Sequence, residues 1–436
     1  MASRSNIRCL VFDGAEVNLV SSAGTRPSKG TRACRIDSAD RQRTIGLSLP
    51  QVTRRADAGR LPHARGAQMA IARTGGLMTR PTDYVERIRN AWSGRVSGCI
   101  LGKAVEVLSL TQGSKALTSY LRRANALPLR DYVPLIEGTL VELTGRQACR
   151  GEFSRSEWDD DINYTVLALM LLEEHGLDLS TVDVARTWLR LLPAAATWTA
   201  ERAAYRTLLQ RTDEMFAHGA PPGFDLAECS DNQYSDWIGA QIRADMYGWV
   251  CPGRPGLAAD LARRDASLSH RGEGVHAAAF IAAFAASIPA IGTVDGALDA
   301  ACRQIPQGSG AWGAINFARS LVGQESAVEH IHERYAALPP IHALNNLALV
   351  VWTLLSHADD YSAAIGDAVT AGWDTDCNGA TVGGLWGLTG SHIPEHWTAP
   401  WQGRVAVTLA GVGELNLDDL VARTVAVAER LSAASG

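Results

Sequence analysis

Several features that would place this 436-residue chain in a specialised class are missing from it. No apolar run approaches the roughly 18 residues that a membrane-spanning helix needs; the longest, near 277–291 and 347–355, are too short or end in proline or histidine. The eight cysteines are scattered without a Cys-x-x-Cys pair, which disfavours both a zinc site and a disulfide framework. We therefore expect a globular protein with reduced thiols, a cytoplasmic location and no membrane partner.

Strand signals are also scarce. We find no alternating polar and apolar pattern joined by Asn-Gly or Asp-Gly turns, and no fixed-period repeat that would indicate a solenoid. Apolar residues recur instead at helical spacing from Val85 to Val96, after which the glycines are expected to break the helix. Further helices are predicted over 181–192, 198–211, 231–248, 255–268, 273–288, 310–322, 343–357, 359–371 and 415–434. The pattern predicts an all-α fold, a single compact domain of many helices.

Residues 1–77 differ in composition from the rest of the chain. They carry 13 Lys/Arg against 5 Asp/Glu, whereas the remaining residues carry 28 against 41. Isolated apolar residues among Ser, Gly and Arg sustain no helical or strand period. We interpret 1–77 as a disordered basic extension or a start assigned too far upstream, and 78–436 as the folded domain. A nucleic-acid arm or an Arg-rich targeting segment is a less favoured alternative, so nucleic acid is not indicated as a partner.

The stretch GWDTDCNGATVGGLWG, residues 372–387, combines two carboxylates with a glycine-rich helix. Asp374 and Asp376 stand at the expected helix N-terminus, where acidic residues act as caps. The residues that follow leave one face almost without side chains: Gly379, Ala380, Gly383, Gly384 and Gly387. Glycine costs roughly 1 kcal/mol relative to alanine in a helix interior. We therefore predict that a packed helix or a bound ligand approaches this face closely.

A second acidic cluster, Asp159-Asp160-Asp161, precedes a strongly apolar helix. One cap residue suffices and adjacent like charges repel, so three aspartates favour a multivalent cation over the alternative, a solvated acidic helix start. Glu106, after a glycine turn, is a third contributor to the same hypothesis. If these segments converge, their carboxylate oxygens favour Mg²⁺ or Mn²⁺, with Ca²⁺ less favoured. Up to six negative charges predict a binuclear centre rather than one ion.

Three separated blocks, taken together and in order, resemble the ADP-ribosylglycohydrolase family: residues 94–103 with Glu106, residues 159–165, and residues 372–387. The resemblance extends from about Tyr84 to Leu431. It implies an all-α fold with a central cleft that holds two Mg²⁺ ions. It also implies a glycosidase that hydrolyses the bond between ADP-ribose and an acceptor such as arginine or serine, so that an ADP-ribosylated substrate is the expected partner.

Carried over by position, the resemblance predicts metal ligands at Asp159, Asp160, Asp161, Asp374, Asp376 and Cys377. Asp159 and Cys377 stand where many relatives have a threonine whose oxygen binds metal. A thiol is a poor ligand for Mg²⁺, so Asn378 or a water is expected to supply the missing oxygen. Glu106 resembles the mobile gating glutamate of the family.

Catalytic roles are predicted for Asp160, Asp161 and Glu106, with Asp160 or Asp161 positioning or deprotonating the attacking water. Substrate contacts are predicted for Glu106, Gly102, His270, Gly372 and Asn378. For His270 a capping or core role is an equal alternative.

Two further predictions concern side chains outside these motifs. Arg243 and Asp245 are interpreted as a buried ion pair. Trp158 and Tyr247 are candidates to stack on adenine, although packing is the commoner role of such aromatic residues.

Two other functional classes stay open at this point. One is a hydrolase of another N- or O-riboside, and the other is a non-catalytic protein that binds ADP-ribose or serves a structural role. The sequence does not decide the oligomeric state or the acceptor.

Overall fold

The computed structural model describes residues 11–13, 16–18, 82–215 and 221–434, and within them it confirms the all-α fold class. The α-helices are α1 (Tyr84–Lys103), α2 (Glu106–Arg123), α3 (Leu140–Thr144), α4 (Asp160–His175), α5 (Thr181–Leu191), α6 (Thr199–Gln210), α7 (Thr212–Met215), α8 (Ala227–Ser230), α9 (Asp245–Trp249), α10 (Pro255–Ala266), α11 (Gly272–Ile291), α12 (Val294–Cys302), α13 (Gly310–Ser320), α14 (Ala327–Arg334), α15 (Ala343–Ser356), α16 (Tyr361–Ala371), α17 (Thr375–Gly387), α18 (Glu395–Thr398) and α19 (Leu417–Ala434). Short 3₁₀ turns lie at Arg146–Ala148, Gly176–Asp178, Ala194–Ala196, Ile238–Ala240 and Ala399–Trp401.

Strands form only two short hairpins among the described residues. β1 (Val11–Asp13) pairs antiparallel with β2 (Glu16–Asn18), and β3 (Arg404–Ala406) pairs antiparallel with β4 (Glu414–Asn416). These strands are only three residues long, which is too short to give a sustained alternating pattern in the sequence.

The chain divides into two units, Met1–Leu77 and Met78–Gly436. Within the first unit the structure describes only the β1–β2 hairpin. The hypothesis of a disordered extension or an upstream start otherwise falls outside the described residues. The helices from α1 to α19 all belong to the second unit.

The centre of this unit is a close pair formed by α1 and α17, the latter buried along its whole length. A Cβ atom placed on Gly94 would lie 2.1 Å from the Gly383 carbonyl oxygen, and one on Gly98 would lie 2.0 Å from the Gly379 carbonyl oxygen. Contacts advance by four residues along α1 and retreat by four along α17, so the two helices run antiparallel. The element predicted to approach the glycine face of α17 is therefore another helix, α1. Glycine is needed on both helices because their backbones touch.

The same packing corrects the predicted end of the first helix. Gly98 and Gly102 do not break α1, which continues to Lys103. Each lies against α17, where a side chain would collide with backbone. Spacing of four residues places them on one helix face, and this tertiary contact outweighs the low helix propensity of glycine.

The remaining helices surround this pair. α16 and α15 pack on α17, while α11 packs against α9, α10 and α12. The predicted helix over 231–248 is wrong, since the structure has there only a 3₁₀ turn and the start of α9. The other predicted helices match their observed counterparts to within a few residues.

α11 is longer than its apolar run in the sequence indicates, at 20 residues. Among the described residues it is the one helix long and apolar enough to cross a membrane, but 78% of that stretch is buried inside the protein. Such burial is typical of a core helix, which passes the same length and composition test.

Candidate metal centre

The N-termini of three helices carry the predicted acidic residues. Asp159 caps α4, Asp374 occupies the residue before α17, and Glu106 is the first residue of α2. α1 brings two of these together, because a Cβ on Gly102 would lie 2.2 Å from the Thr375 carbonyl oxygen. The Thr375 hydroxyl also donates a 2.8 Å hydrogen bond to the Gly102 carbonyl. The turn from α1 into α2 therefore lies directly against the start of α17.

Three sets of side chains each bring potential ligand atoms within 4.8 Å of one another: Cys99–Asp159–Asp161, Asp161–Asp376–Cys377 and Glu106–Asp374–Asp376. Asp161 belongs to two of the sets, and so does Asp376, so the three form one continuous cluster. The structure thus brings together the segments that the sequence predicted to converge. It adds Cys99, which sequence reasoning had left among the scattered thiols.

Electrostatics of the cluster show an excess of buried negative charge. Burial, reinforced by neighbouring carboxylates, raises the pKa well above its usual range for Glu106, Asp160, Asp161 and Asp374. Burial and the charge of Asp159 also raise the pKa of Asp376. Ionised carboxylates so close together repel one another, and a cation between them would favour the ionised forms.

Asp159 is the exception in this group. Burial raises its pKa, but the charge and hydrogen bond of the adjacent Lys103 ammonium, together with hydrogen bonds from the Asp161 backbone and from Cys99, lower it, and the net shift is downward. Its Oδ2 lies 2.5 Å from Lys103 Nζ, and its Oδ1 accepts the Asp161 backbone N–H at 2.9 Å. Both oxygens of Asp159 are thus already engaged by the protein.

Asp161 is held by a buried arginine that sequence reasoning missed. The Arg95 guanidinium donates to Asp161 Oδ1 at 3.2 Å, to the Asp161 carbonyl at 2.9 Å and to Asp245 Oδ2 at 3.0 Å. Asp161 Oδ2 is buried and has no hydrogen-bond partner among the described residues. One oxygen of this carboxylate is therefore fixed by Arg95 while the other stays available to a ligand.

The sequence of α1 does contain a pattern that indicates the residues missed by sequence reasoning. Arg95, Cys99 and Lys103 follow one another at intervals of four, so they share one helix face. That face meets the acidic cluster, whereas the adjacent glycine face meets α17. Two basic residues at this spacing in a glycine-rich buried helix indicate an acidic partner inside the protein.

The start of α17 is fixed by Asn346 of α15. Its Oδ1 accepts a 2.8 Å hydrogen bond from Asn378 Nδ2 and a longer one, 3.4 Å, from the Asp374 backbone N–H. Asn346 thus ties the start of α17 to α15. Asn378 Oδ1 is buried and has no hydrogen-bond partner among the described residues, which is consistent with the predicted replacement donor beside Cys377.

The predicted substrate contacts differ in their position relative to the acidic cluster. Gly102 and Gly372 adjoin the cluster in sequence, and Gly372 adopts the left-handed φ of +88° that favours glycine. His270 is fully buried, with its Nδ1 2.8 Å from the Ser269 hydroxyl. Burial and the nearby Arg243 lower the pKa of His270 well below its usual range, so the ring is neutral. Its role as a substrate contact stays a prediction.

The predicted pairing of Arg243 with Asp245 is wrong. Arg243 binds Glu201 at 2.6 Å and Asp265 at 3.0 Å, and Asp245 binds Arg95. Both residues are buried and ion-paired, but with other partners. Side chains two residues apart do not face each other on a helix, and this segment is not one continuous helix.

The residues present fit a divalent metal centre. The donor set is dominated by carboxylate oxygens, the type that Mg²⁺ and Mn²⁺ prefer. A buried carboxylate oxygen on Asp161 lacks a protein partner among the described residues, and the cluster carries more acidic than basic groups. Asp161, Asp374, Asp376 and Glu106 are the residues of these sets that would hold metal, whereas Asp160 belongs to none of the three sets and stays a predicted ligand.

Comparison with known proteins identifies the family of this chain. A family model described as ADP-ribosylglycohydrolase matches residues 80–431. No curated protein matches. A solved chain named "ADP-ribosylglycohydrolase-related protein complex" is 19% identical, with 80% of this chain and 99% of that chain covered and a TM-score of 0.46. Because the family model spans most of the sequence, the chain belongs to the ADP-ribosylglycohydrolase family and is a glycosidase-type hydrolase.

Proposed function

We propose that this protein is a Mg²⁺-dependent hydrolase that cleaves the glycosidic bond between ADP-ribose and an acceptor in a protein, a nucleic acid or a small molecule. The observation that carries the proposal is the convergence of three acidic helix N-termini in one cluster on the family fold. Two bound divalent ions would supply Lewis-acid polarisation of the ribose hydroxyls and of a water molecule. Mn²⁺ is the alternative ion, since it prefers the same oxygen donors.

Asp160 is the better placed of the two predicted bases. Asp161 is fully buried and one of its oxygens is bound by Arg95, whereas Asp160 is only partly buried. Burial, followed by the charge of Asp159, raises the pKa of Asp160, which makes its carboxylate a stronger base.

The chemical step follows from that assignment. Asp160 accepts a proton from water, the water oxygen forms a bond to C1″ of the ribose, and the bond from C1″ to the acceptor breaks with its electron pair leaving on the acceptor. The acceptor is then protonated from solvent. Positive charge that develops on the ribose is stabilised by the surrounding carboxylates, as in other glycoside hydrolysis. General base help of this kind is worth roughly 10²–10⁴-fold in rate.

Of the two aromatic candidates for adenine stacking, only one reaches solvent. Tyr247 is fully buried, and Trp158 is 38% exposed directly beside Asp159. Trp158 is therefore the side chain we assign to contact with the base.

The deciding experiment offers purified protein and Mg²⁺ a panel of ADP-ribosylated arginine, serine and nucleobase, together with simple nucleosides, and follows products by mass spectrometry. Release of ADP-ribose that disappears with a chelator and returns with Mg²⁺ is expected. Turnover of nucleosides alone would instead favour a hydrolase of another riboside. Metal binding without turnover of any compound would favour a non-catalytic binding protein.

Two variants test the assigned residues. Asp160→Asn and Asp374→Asn are expected to reduce ADP-ribose release by at least about 10²-fold while the circular dichroism spectrum stays helical. Asp299→Asn, which alters an exposed carboxylate on α12, is the matched control and is expected to retain full activity. Full activity in Asp160→Asn would contradict the proposed base.

A further inference from the structure

Lys103 lies beside the acidic cluster and has no role in the proposed reaction. It ends α1 and places its ammonium 2.5 Å from Asp159 Oδ2 and 3.1 Å from the Trp158 carbonyl oxygen. The side chain is only 18% exposed. A half-buried lysine held by a buried carboxylate is a fixed positive charge at the edge of a site that is otherwise acidic.

Each oxygen of Asp159 already accepts a hydrogen bond from the protein. Its Oδ1 accepts the backbone N–H of Asp161 and so caps α4, and its Oδ2 is bound to Lys103. A metal ion bound to Asp159 would lie beside the Lys103 ammonium, whose charge repels it. No such cation lies on Asp161 Oδ2, which has no hydrogen-bond partner among the described residues.

The charge balance points the same way. With Glu106, Asp159, Asp160, Asp161, Asp374, Asp376 and Asp245, the second partner of Arg95, ionised, and with Arg95 and Lys103 charged, these residues carry a net charge of −5. Two divalent ions would balance most of that charge. Lys103 therefore offsets the single charge that the Asp159 carboxylate adds.

We propose that Lys103 and Asp159 act as an internal ion pair at the edge of the metal centre, so that Asp159 positions α4 and is not a metal ligand. The inference deepens the proposed metal dependence and rests on it. Lys103 is a positioning residue, since it acts on the centre through Asp159 and through its own charge.

The test is a double-mutant cycle read by isothermal titration calorimetry with Mn²⁺, in the absence of substrate. Lys103→Met removes a cation beside the centre and frees Asp159 Oδ2, so Mn²⁺ is expected to bind at least about tenfold more tightly. Asp159→Asn keeps a capping oxygen but leaves the ammonium without its partner, so binding is expected to weaken at least about tenfold. Lys103→Arg keeps the charge and is expected to bind Mn²⁺ as the unmodified protein does.

The double variant Lys103→Met/Asp159→Asn decides the question, because it leaves the net charge and the remaining ligands unchanged. An affinity within about threefold of the unmodified protein is expected. A double variant that binds as weakly as Asp159→Asn would show that Asp159 is a ligand and overturn the inference. An unchanged affinity in Lys103→Met, or no Mn²⁺ binding by any form, would also overturn it.

The result is separable from the proposed activity. If the affinities follow the expected order but no ADP-ribose is released from any substrate, the proposed function fails and the role of the ion pair stands. If ADP-ribose is released but the double variant binds Mn²⁺ as weakly as Asp159→Asn does, the proposed function stands and the role of the ion pair fails.

Discussion

At the scale of single residues, Arg95 connects the acidic cluster to the rest of the core. It is fully buried and lies between two carboxylates, Asp161 of the acidic cluster and Asp245 at the start of α9. It also donates to the backbone carbonyl of Ile242. One guanidinium thus links α4, α9 and α1, because its fork of donors can serve several acceptors at once.

Arg95→Met is expected to lower the free energy of unfolding by about 3–5 kcal/mol, since removal of one partner leaves two buried carboxylates unpaired. Urea denaturation of the metal-free protein measures this. The matched control is Arg319→Met, which removes a partly exposed arginine that also binds two carboxylates, the exposed Asp295 and Asp299. There we expect a loss of about 1 kcal/mol or less. Equal losses in the two variants would contradict the assigned role of Arg95.

At the scale of elements, the pair α1–α17 determines where the site forms. Glycines at intervals of four let the two backbones touch, and this contact continues to Gly102 and Thr375 at the edge of the acidic cluster. Any increase in the distance between these helices would also separate Glu106 from Asp374 and Asp376. Packing and metal-site geometry are therefore coupled.

Gly98→Ala tests that coupling. The added Cβ would lie 2.0 Å from the Gly379 carbonyl oxygen, so the helices must separate, at an expected cost of about 1–3 kcal/mol or more. We also expect weaker Mn²⁺ binding by calorimetry. Gly313→Ala in α13 is the control, because nothing lies within 4 Å of its added Cβ. It is expected to stabilise the protein by up to about 1 kcal/mol, and a destabilisation as large as that of Gly98→Ala would contradict the explanation.

At the scale of the whole molecule, the acidic cluster is a source of repulsion inside the core. Three helix N-termini meet there, and burial raises the pKa of most of their carboxylates. A ligand that binds the folded state and not the unfolded one adds stability in proportion to the logarithm of its concentration. Metal binding is thus expected to be visible in the stability of the entire domain.

Mg²⁺ at about 100 times its dissociation constant is expected to stabilise the folded protein by about 2.7 kcal/mol. Differential scanning calorimetry with a chelator and with Mg²⁺ measures the shift in melting temperature. The variant Asp374→Asn/Asp376→Asn is expected to lose the shift, whereas Na⁺ at equal ionic strength is expected to leave the melting temperature of the unmodified protein unchanged. A shift of equal size in the double variant would place the bound ion elsewhere.

The sequence by itself determined the fold class, most helix positions and the family, because apolar spacing and short acidic motifs are local properties of the chain. It also identified the carboxylates at the starts of α4 and α17. Only the tertiary structure decided what those motifs touch: that the glycines of α1 continue the helix, that Arg95 holds Asp161 and that Lys103 occupies Asp159. These contacts join residues far apart in the chain, and no local pattern specifies which buried charge will meet which.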